Sequence, residues 1–522
     1  MAQPDLTPAP VAFDDIQGLV RFGHGHLSDA SFLLLRIEDP AAARAWLAAA
    51  PVTSAEEKQP LPEAVLHIAV TSSGLSRLGF SEAALAGFSD EFLSGMAGED
   101  NRSLRLGDVA ASAPSYWDWG AAGREPDLLV MLYARPGGLA AWAEAVKGAN
   151  WATAFSQLHV LSTDKMGDDV DEFSREPFGF ADGISQPTID WRQERKTGDT
   201  ELTYGNRVAL GEFLLGYRNE YGMLTDRPLL DPEADPENLL PDAEDQPGKR
   251  DFGRNGTYLV LRDLRQDVRG FWQYLERQAR FVGRPRQQLA EALVGRTMLG
   301  QPLASLSEQP IAGVEPGDRL NRYTIEADPL GAACPLGAHI RRSNPRTADL
   351  PGGPSGFLTR LLRMFGYGNR YARDDLIAPT RFHRLVRRGR PYGPYVSPEA
   401  ALDPAPPGEE IGLRFVGLNA NIARQFEFVQ AAWLTRTKFG GLTEESDPVT
   451  GNRQSIAGCP VADTFSLPQP SGAALRLREM PQFVTVRGGG YFFLPSLSAL
   501  RYLASLGDRS HAVLPPSGPM VA

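Results

Sequence analysis

The sequence predicts an α+β protein whose first half is a ferredoxin-like unit. Three observations carry this. Four short apolar runs between residues 30 and 162 have the length and composition of strands. Helical segments fall between them, in the order strand–helix–strand, an excursion, then strand–helix–strand. Past residue 258 the same alternation of strand and helix returns, although the sequence itself does not repeat.

Residues 1–12 are Pro-rich. Ala30 to Ile37 (ASFLLLRI) reads as a buried strand, and Ala41 to Ala50 as a helix started by Asp39-Pro40. Val65 to Thr71 (VLHIAVT) is the second strand, and Ser72 to Leu78 is helical. Residues 80–125 are rich in Gly, Ala and Ser and read as irregular. Asp127 to Ala134 is the third strand, Leu139 to Lys147 a helix, and Gln157 to Ser162 the fourth strand. An acidic run, Asp168 to Glu172, leads to a turn at Gly179–Gly183, and residues 224–251 form a long polar loop. Tyr258 to Arg262 is a strand, followed by helices over Asp267 to Ala279 and Gln287 to Leu293. Ala401 to Glu410 is a loop, Leu413 to Leu418 a strand and Ile422 to Leu434 a helix. Phe483 to Arg487 and Tyr491 to Leu494 read as a hairpin around Gly488-Gly489-Gly490, and Ser496 to Ala504 as a closing helix.

The 522 residues suit roughly two to four domains. A net charge of −11 argues against nucleic acid and anionic membrane surfaces as partners. Cys334 and Cys459 are the only cysteines, too few for a disulfide framework or a zinc cluster. The N-terminus has no basic and apolar leader pattern, and no run of about 18 apolar residues exists. Together these place the protein in the cytoplasm. GxxxxGK[ST], GxSxG and HExxH are all missing, so phosphate-loop, hydrolase-elbow and zincin chemistry lack support.

Cys334 to Arg346 (CPLGAHIRRSNPR) carries the first chemical signal. His339 lies between a small Gly337-Ala338 pair and the cations Arg341 and Arg342, and Pro335 and Pro345 preclude a long helix. A histidine on a short stiff segment suits axial ligation of haem. The small neighbours would let a flat macrocycle approach, and the arginines would meet its propionates. Read alone, a single histidine is more often a satisfied polar residue than a ligand. The second signal is Pro177 to Gly183 (PFGFADG). Asp182 reads either as an Asp-Gly turn residue or as a carboxylate carried into an apolar cavity, where burial raises its pKa and it shuttles a proton. The third is Arg387 in LVRRGRPYG, as a solvated basic turn or as one fixed cation where charge develops on oxygen. His24 and His26, which flank Gly25, read as surface residues, and His67 as structural.

These stretches resemble the dye-decolourising peroxidases. GFADG matches that family's GxxDG signature, CPLGAHIRRSNPR its proximal-histidine segment and VRRGRPYG its distal-arginine segment. GEFLLGY (Gly211–Tyr217), GTYLVLRDLRQDVRGFW (Gly256–Trp272), GLRFVGLNANIARQFEFVQAAWL (Gly412–Leu434) and VTVRGGGYFFLPS (Val484–Ser496) are similar too. The set in this order is far more specific than GxxDG alone. The resemblance implies two ferredoxin-like domains with antiparallel four-stranded sheets and peripheral helices, residues 12–176 and 177–510, with haem b in the C-terminal one. It implies His339 as iron ligand, Asp182 as distal acid–base and Arg387 as distal cation. Leu413 and Phe415 match the family's apolar pair over the distal face, and Glu427 is expected to bond the far nitrogen of His339. Several bacterial members carry Asn two residues after the distal Arg, where this chain has Gly389.

The implied activity is reduction of hydrogen peroxide with oxidation of organic donors, bulky ones through surface Tyr or Trp. A carboxylate in the distal role predicts a dye-oxidation optimum on the order of pH 4–5. The alternatives are a haem-binding or haem-handling protein with incidental peroxidase activity, and a ferredoxin-like protein without cofactor. Oligomeric state and physiological donor stay open.

Overall fold

Nine strands form one antiparallel sheet, and the order in which they lie explains where the chain can build a cavity. The computed structural model describes residues 10–164, 174–194, 207–305, 320–321, 323, 325, 328–345, 380–404, 408–454, 462–469 and 471–509. The acidic run Asp168 to Glu172, Cys459 and Arg346 lie outside the described residues. The first half supplies β1 (Asp29–Ile37), β2 (Ala64–Val70), β3 (Leu128–Ala134) and β4 (Phe155–Ser162). The second supplies β5 (Thr257–Gln266), β6 (Val386–Arg387), β7 (Arg390–Tyr392), β8 (Gly412–Asn419) and β9 (Val484–Leu494). Among the described residues the spatial order is β6-β8-β5-β9-β2-β3-β1-β4, with β7 also on β8.

Both groups follow one rule of second, third, first, fourth strand, with β6 and β7 together taking the second place in the later group. The two four-stranded sheets expected from the sequence are continuous, because β9 pairs β2 at Phe493–Val70. The pairing is confined to that one position; farther along the β2 edge Gln17 holds the Ile68 amide and carbonyl, and Thr53 those of Leu66. The strands alternate as a doubly covered sheet should. On β2, Leu66, Ile68 and Val70 enter one core with Trp46, while Val65 and Ala69 enter another with Leu129 and Met131. The helix Pro40–Ala49 starts where Asp39 accepts the Ala41 and Ala42 amides. Trp46 Nε1 then donates to the Val146 carbonyl at 2.9 Å, which ties it to the helix Leu139–Lys147.

Three expectations are corrected. Gly488-Gly489-Gly490 is no hairpin turn but the middle of β9, an unbroken strand from Val484 to Leu494. The glycines are there because the excursion lies on them. A Cβ at Gly488 would stand 2.3 Å from Trp119 Nε1, and one at Gly489 2.5 Å from Met96 Sδ. The Asp118 amide also donates to the Arg487 carbonyl at 2.6 Å. The excursion is itself ordered, with short helices Glu82–Leu85, Asp90–Ser94 and Asp100–Leu106. Ser81 and Ser89 cap the first two. Finally, His24 is not at the surface: it is buried, and its Nε2 lies 3.0 Å from Nε2 of His67. Among the described residues no helix is long and apolar enough to cross a membrane.

Candidate active site

Strand alternation builds one wall of a cavity on the second-half sheet. Leu264 and Gln266 of β5, Leu413 and Phe415 of β8, and Val484 and Val486 of β9 all line it. The first half contributes too: Gly107, Asp108 and Ser112 reach the same cavity from the excursion. Asp108 forms a buried ion pair there with Arg262 of β5.

His339 stands in the facing wall, at the start of the short helix His339–Ser343. Its Nδ1 lies 3.0 Å from Asp447 Oδ2 and 3.1 Å from Oδ1. Asp447 is fully buried, and its Oδ1 accepts the Val449 and Thr450 amides at 3.0 and 2.8 Å. An ionised carboxylate only accepts, so Nδ1 carries the hydrogen and the Nε2 lone pair is left for a ligand. Burial pushes the imidazole pKa down, but the Asp447 charge and hydrogen bond outweigh it and raise it overall.

The expected partner of His339 was Glu427, and this is corrected. Glu427 accepts from Tyr491 Oη at 2.9 Å and pairs with Arg102 at 2.9 Å and Arg105 at 3.4 Å. The segment Ile422–Leu434 is not a regular α-helix but two π-helical stretches, Ala423–Glu427 and Val429–Thr435. A wider turn moves side chains off the faces that a 3.6-residue period assigns. Asp447→Asn should therefore weaken ligand-bound haem on the order of 10- to 100-fold in a haem titration, and Glu427→Gln should not. The reverse pattern would restore Glu427.

Arg341 and Arg342 are also corrected as propionate partners. Both are buried. Arg341 donates to the Cys334 and Asp328 carbonyls at 2.8 and 2.7 Å and pairs with the Asp328 carboxylate. Arg342 is spent on the carbonyls of Trp433, Glu445 and Arg436. The small Gly337 answers to packing, since a Cβ there would meet Glu445, Leu442 and Phe465 at 3.2–3.3 Å. Among the described residues the arginines that line the cavity are Arg262, Arg296, Arg384 and Arg387.

Asp182 and Arg387 meet across the cavity, with Arg387 Nη1 donating to Asp182 Oδ1 at 3.1 Å. Asp182 rides on a tight turn in which its amide donates to the Ser174 carbonyl at 2.9 Å. Gly179 turns the chain at φ +99°, a left-handed conformation, and a Cβ there would lie 3.0 Å from Met298. The 176/177 boundary expected between two domains falls within this turn, where the Glu176 amide donates to the Phe180 carbonyl at 2.9 Å. Gln186 then grips Arg387: its Nε2 donates to the Arg387 carbonyl at 2.9 Å and its Oε1 accepts the Arg387 amide at 3.0 Å. Burial raises the Asp182 carboxyl, but Arg387 and the Gly183 amide more than offset it, and the group ends below its ordinary value. The rise expected from burial is present, and Arg387 outweighs it.

Arg388 and Arg390 are half-buried rather than part of a free basic turn. They donate to the Leu19 and Val20 carbonyls and to the Gly23 and His24 carbonyls of the first half. Gly389 between them is required, because a Cβ would stand 2.8 Å from the Arg414 carbonyl of β8. The apolar walls, the single available His339 nitrogen and the fixed cations fit a flat, anionic, iron-bearing macrocycle. Sequence reasoning missed Asp447, whose Ser446-Asp447-Pro448 context reads as a turn, and Gln186.

No protein-family model matches the chain. It is 29% identical over 510 residues to the dye-decolorizing peroxidase AauDyP1 of Auricularia auricula-judae, covering 93% of this chain and 86% of that one. It is 30% identical over 346 residues to the multifunctional dye peroxidase DyP2 of an Amycolatopsis species, where the match spans 63% of this chain and 61% of the relative. A crystal structure of a decolorizing peroxidase from Auricularia auricula-judae superposes with a TM-score of 0.69 at 24% identity, covering 95% of this chain and all of that one. A dye-decolorizing peroxidase with a haem pocket engineered for asymmetric sulfoxidation does so with the same TM-score at 25% identity.

Proposed function

This chain is a relative of the dye-decolorizing peroxidases, and from that premise we propose that it is a haem b peroxidase that reduces hydrogen peroxide and oxidises organic donors such as dyes and phenols. One observation carries the reading: His339, backed by the buried Asp447, lines the same apolar-walled cavity as the Asp182–Arg387 pair. His339 would hold the iron, and Asp447 would fix its tautomer and raise its basicity. The bound group would supply redox chemistry. Asp182, ionised, takes a proton from peroxide at its carboxylate oxygen, and Arg387 stabilises negative charge on oxygen. Leu413 and Phe415 exclude water from that side. Arg384 is the cation we assign to a propionate; Arg296 lines the cavity too, but it already donates to the Gly300 and Leu320 carbonyls and to Ser185 Oγ. The strand order supports two ferredoxin-like units, with the haem carried by the second. Cysteine usage favours the cytoplasm.

The test is a spectrum of the purified protein before and after one equivalent of hydrogen peroxide, followed by turnover of a dye and a phenol. A Soret band that changes with peroxide, and turnover at catalytic peroxide, are expected. Haem that binds and leaves without turnover would favour a haem-handling role.

The pH dependence follows from Asp182. Its folded pKa lies below the ordinary carboxylate value, so the working, ionised form persists into acid and is lost only as pH falls through that depressed value. In stopped-flow rates of the peroxide step, the Asp182 titration itself should cause no loss as pH drops from about 7 to about 4, the upper side of an ordinary Asp titration. Asp182→Asn should slow the step and flatten its acid limb. A variant with the wild-type profile would assign the proton to another group.

A further inference from the structure

Glu176 is a carboxylate in the cavity wall that the roles above leave unused. It precedes the GFADG turn, and its side chain folds back over it. Oε2 accepts the Phe178 amide at 3.0 Å and Oε1 accepts the Phe180 amide at 3.1 Å. Gln266 Nε2, at the end of β5, donates to Oε2 at 3.1 Å. The Glu176 amide donates to the Phe180 carbonyl at 2.9 Å, and the Gly179 amide returns to the Glu176 carbonyl at 2.8 Å. One carboxyl group thus joins the turn that carries Asp182 to the sheet that carries the cavity floor. It lines a smaller neighbouring cavity as well, together with Asp182, Arg387, Leu413 and Phe415.

We propose that Glu176 is a positioning residue for Asp182: by clasping the Phe178 and Phe180 amides and the Gln266 side chain, it holds the turn at the height on β5 where Asp182 meets Arg387. The inference rests on the peroxidase reading above. A turn closed only by its backbone would let Asp182 shift, and misplacement by about 1 Å costs on the order of 100-fold in rate. The charged groups around Glu176 are few. Asp182 and Arg387 share its smaller cavity, and Arg175 is tied to the Gly179 carbonyl at 2.6 Å. Burial lifts the Glu176 carboxyl to about 7, the three N–H donors pull it back, and the Asp182 charge adds to the rise. Below that pH the group is protonated and accepts weakly. Above it the charge tightens the clasp. Two carboxyls in one pocket are thereby pushed apart, Asp182 down and Glu176 up.

The test compares full-length wild type, Glu176→Gln and Gln266→Met by hydrogen–deuterium exchange and by stopped-flow reaction with hydrogen peroxide from about pH 5 to 9, a range that brackets neutrality. Glutamine offers one acceptor oxygen where glutamate offers two. In Glu176→Gln the segment with Phe178 and Phe180 should exchange about tenfold faster. Its peroxide step should slow on the order of 10- to 100-fold with haem content unchanged, and an inflection near neutral pH should vanish. Gln266→Met removes one donor to the carboxylate, so the inflection should move to higher pH. A wild-type rate and pH profile in Glu176→Gln would overturn the proposal, and so would loss of haem in proportion to loss of rate. If Glu176→Gln does not fold, an unmoved inflection in Gln266→Met overturns it. A wild type that does not react with peroxide refutes the peroxidase reading instead, while the exchange result still decides the clasp.

Discussion

His339→Ala is expected to lose haem. Asp447, a partner one bond removed, is already worth on the order of 10- to 100-fold in affinity. Removing the ligand itself should cost more, leaving little haem after gel filtration. The informative control is His383, because it lines the same cavity. His383 is stacked on Phe428 at 3.9 Å and 9°, and its Nδ1 is bonded to the Arg424 carbonyl. Among the described residues no carboxylate bonds to it to raise its basicity, and burial lowers its pKa to about 4. His383→Ala should keep its haem. The opposite result, with His383 essential and His339 dispensable, would move the iron to the other wall.

Arg387→Leu should slow the peroxide step by roughly 10²–10³ while haem loading survives, the range for removal of one preorganised charge-stabilising donor. Arg388→Leu tests the specificity of this claim. Its guanidinium serves the Leu19 and Val20 carbonyls, so its loss leaves acceptors unsatisfied at about 1–3 kcal/mol each. That should appear as a lower melting temperature with the peroxide rate close to wild type. Equal rate losses for both arginines would mean that the segment acts as a structural cluster.

Periodicity was a good guide to the sheet and a poor one to its joints. The runs ASFLLLRI, VLHIAVT and DLLVMLYA are strands because nothing else accommodates so many consecutive apolar residues of that length. The triple glycine misled because a glycine cluster looks the same whether the chain turns or a tryptophan lies across it. What decides is Trp119, more than 360 residues away in sequence. The site divides the same way. His339, Asp182 and Arg387 sit in short distinctive segments and were legible. Asp447 was not, because its signature is a common Asx turn. Glu427 was misassigned because the resemblance carried it over by its place in RQFEFVQ, while its carboxylate goes to Tyr491, Arg102 and Arg105. Arg341 and Arg342 carried the right charge in the right segment, yet backbone carbonyls had already claimed them.

The place of β9 in the sheet has a consequence for synthesis. Among the strands of this sheet β9 is the last to leave the ribosome, yet it stands at the centre, between β5 and β2. Until residue 494 has emerged, the earlier strands have an open gap where the two halves should meet. The N-terminal half waits with Trp117 and Trp119 uncovered, and the cavity lacks the wall made by Val484 and Val486. A nascent chain therefore cannot seal this cavity early, and a premature stop before β9 leaves the second half without its fourth strand. Pairing strands so distant in sequence is slow, so the growing polypeptide depends on protection from aggregation until its final strand slots in.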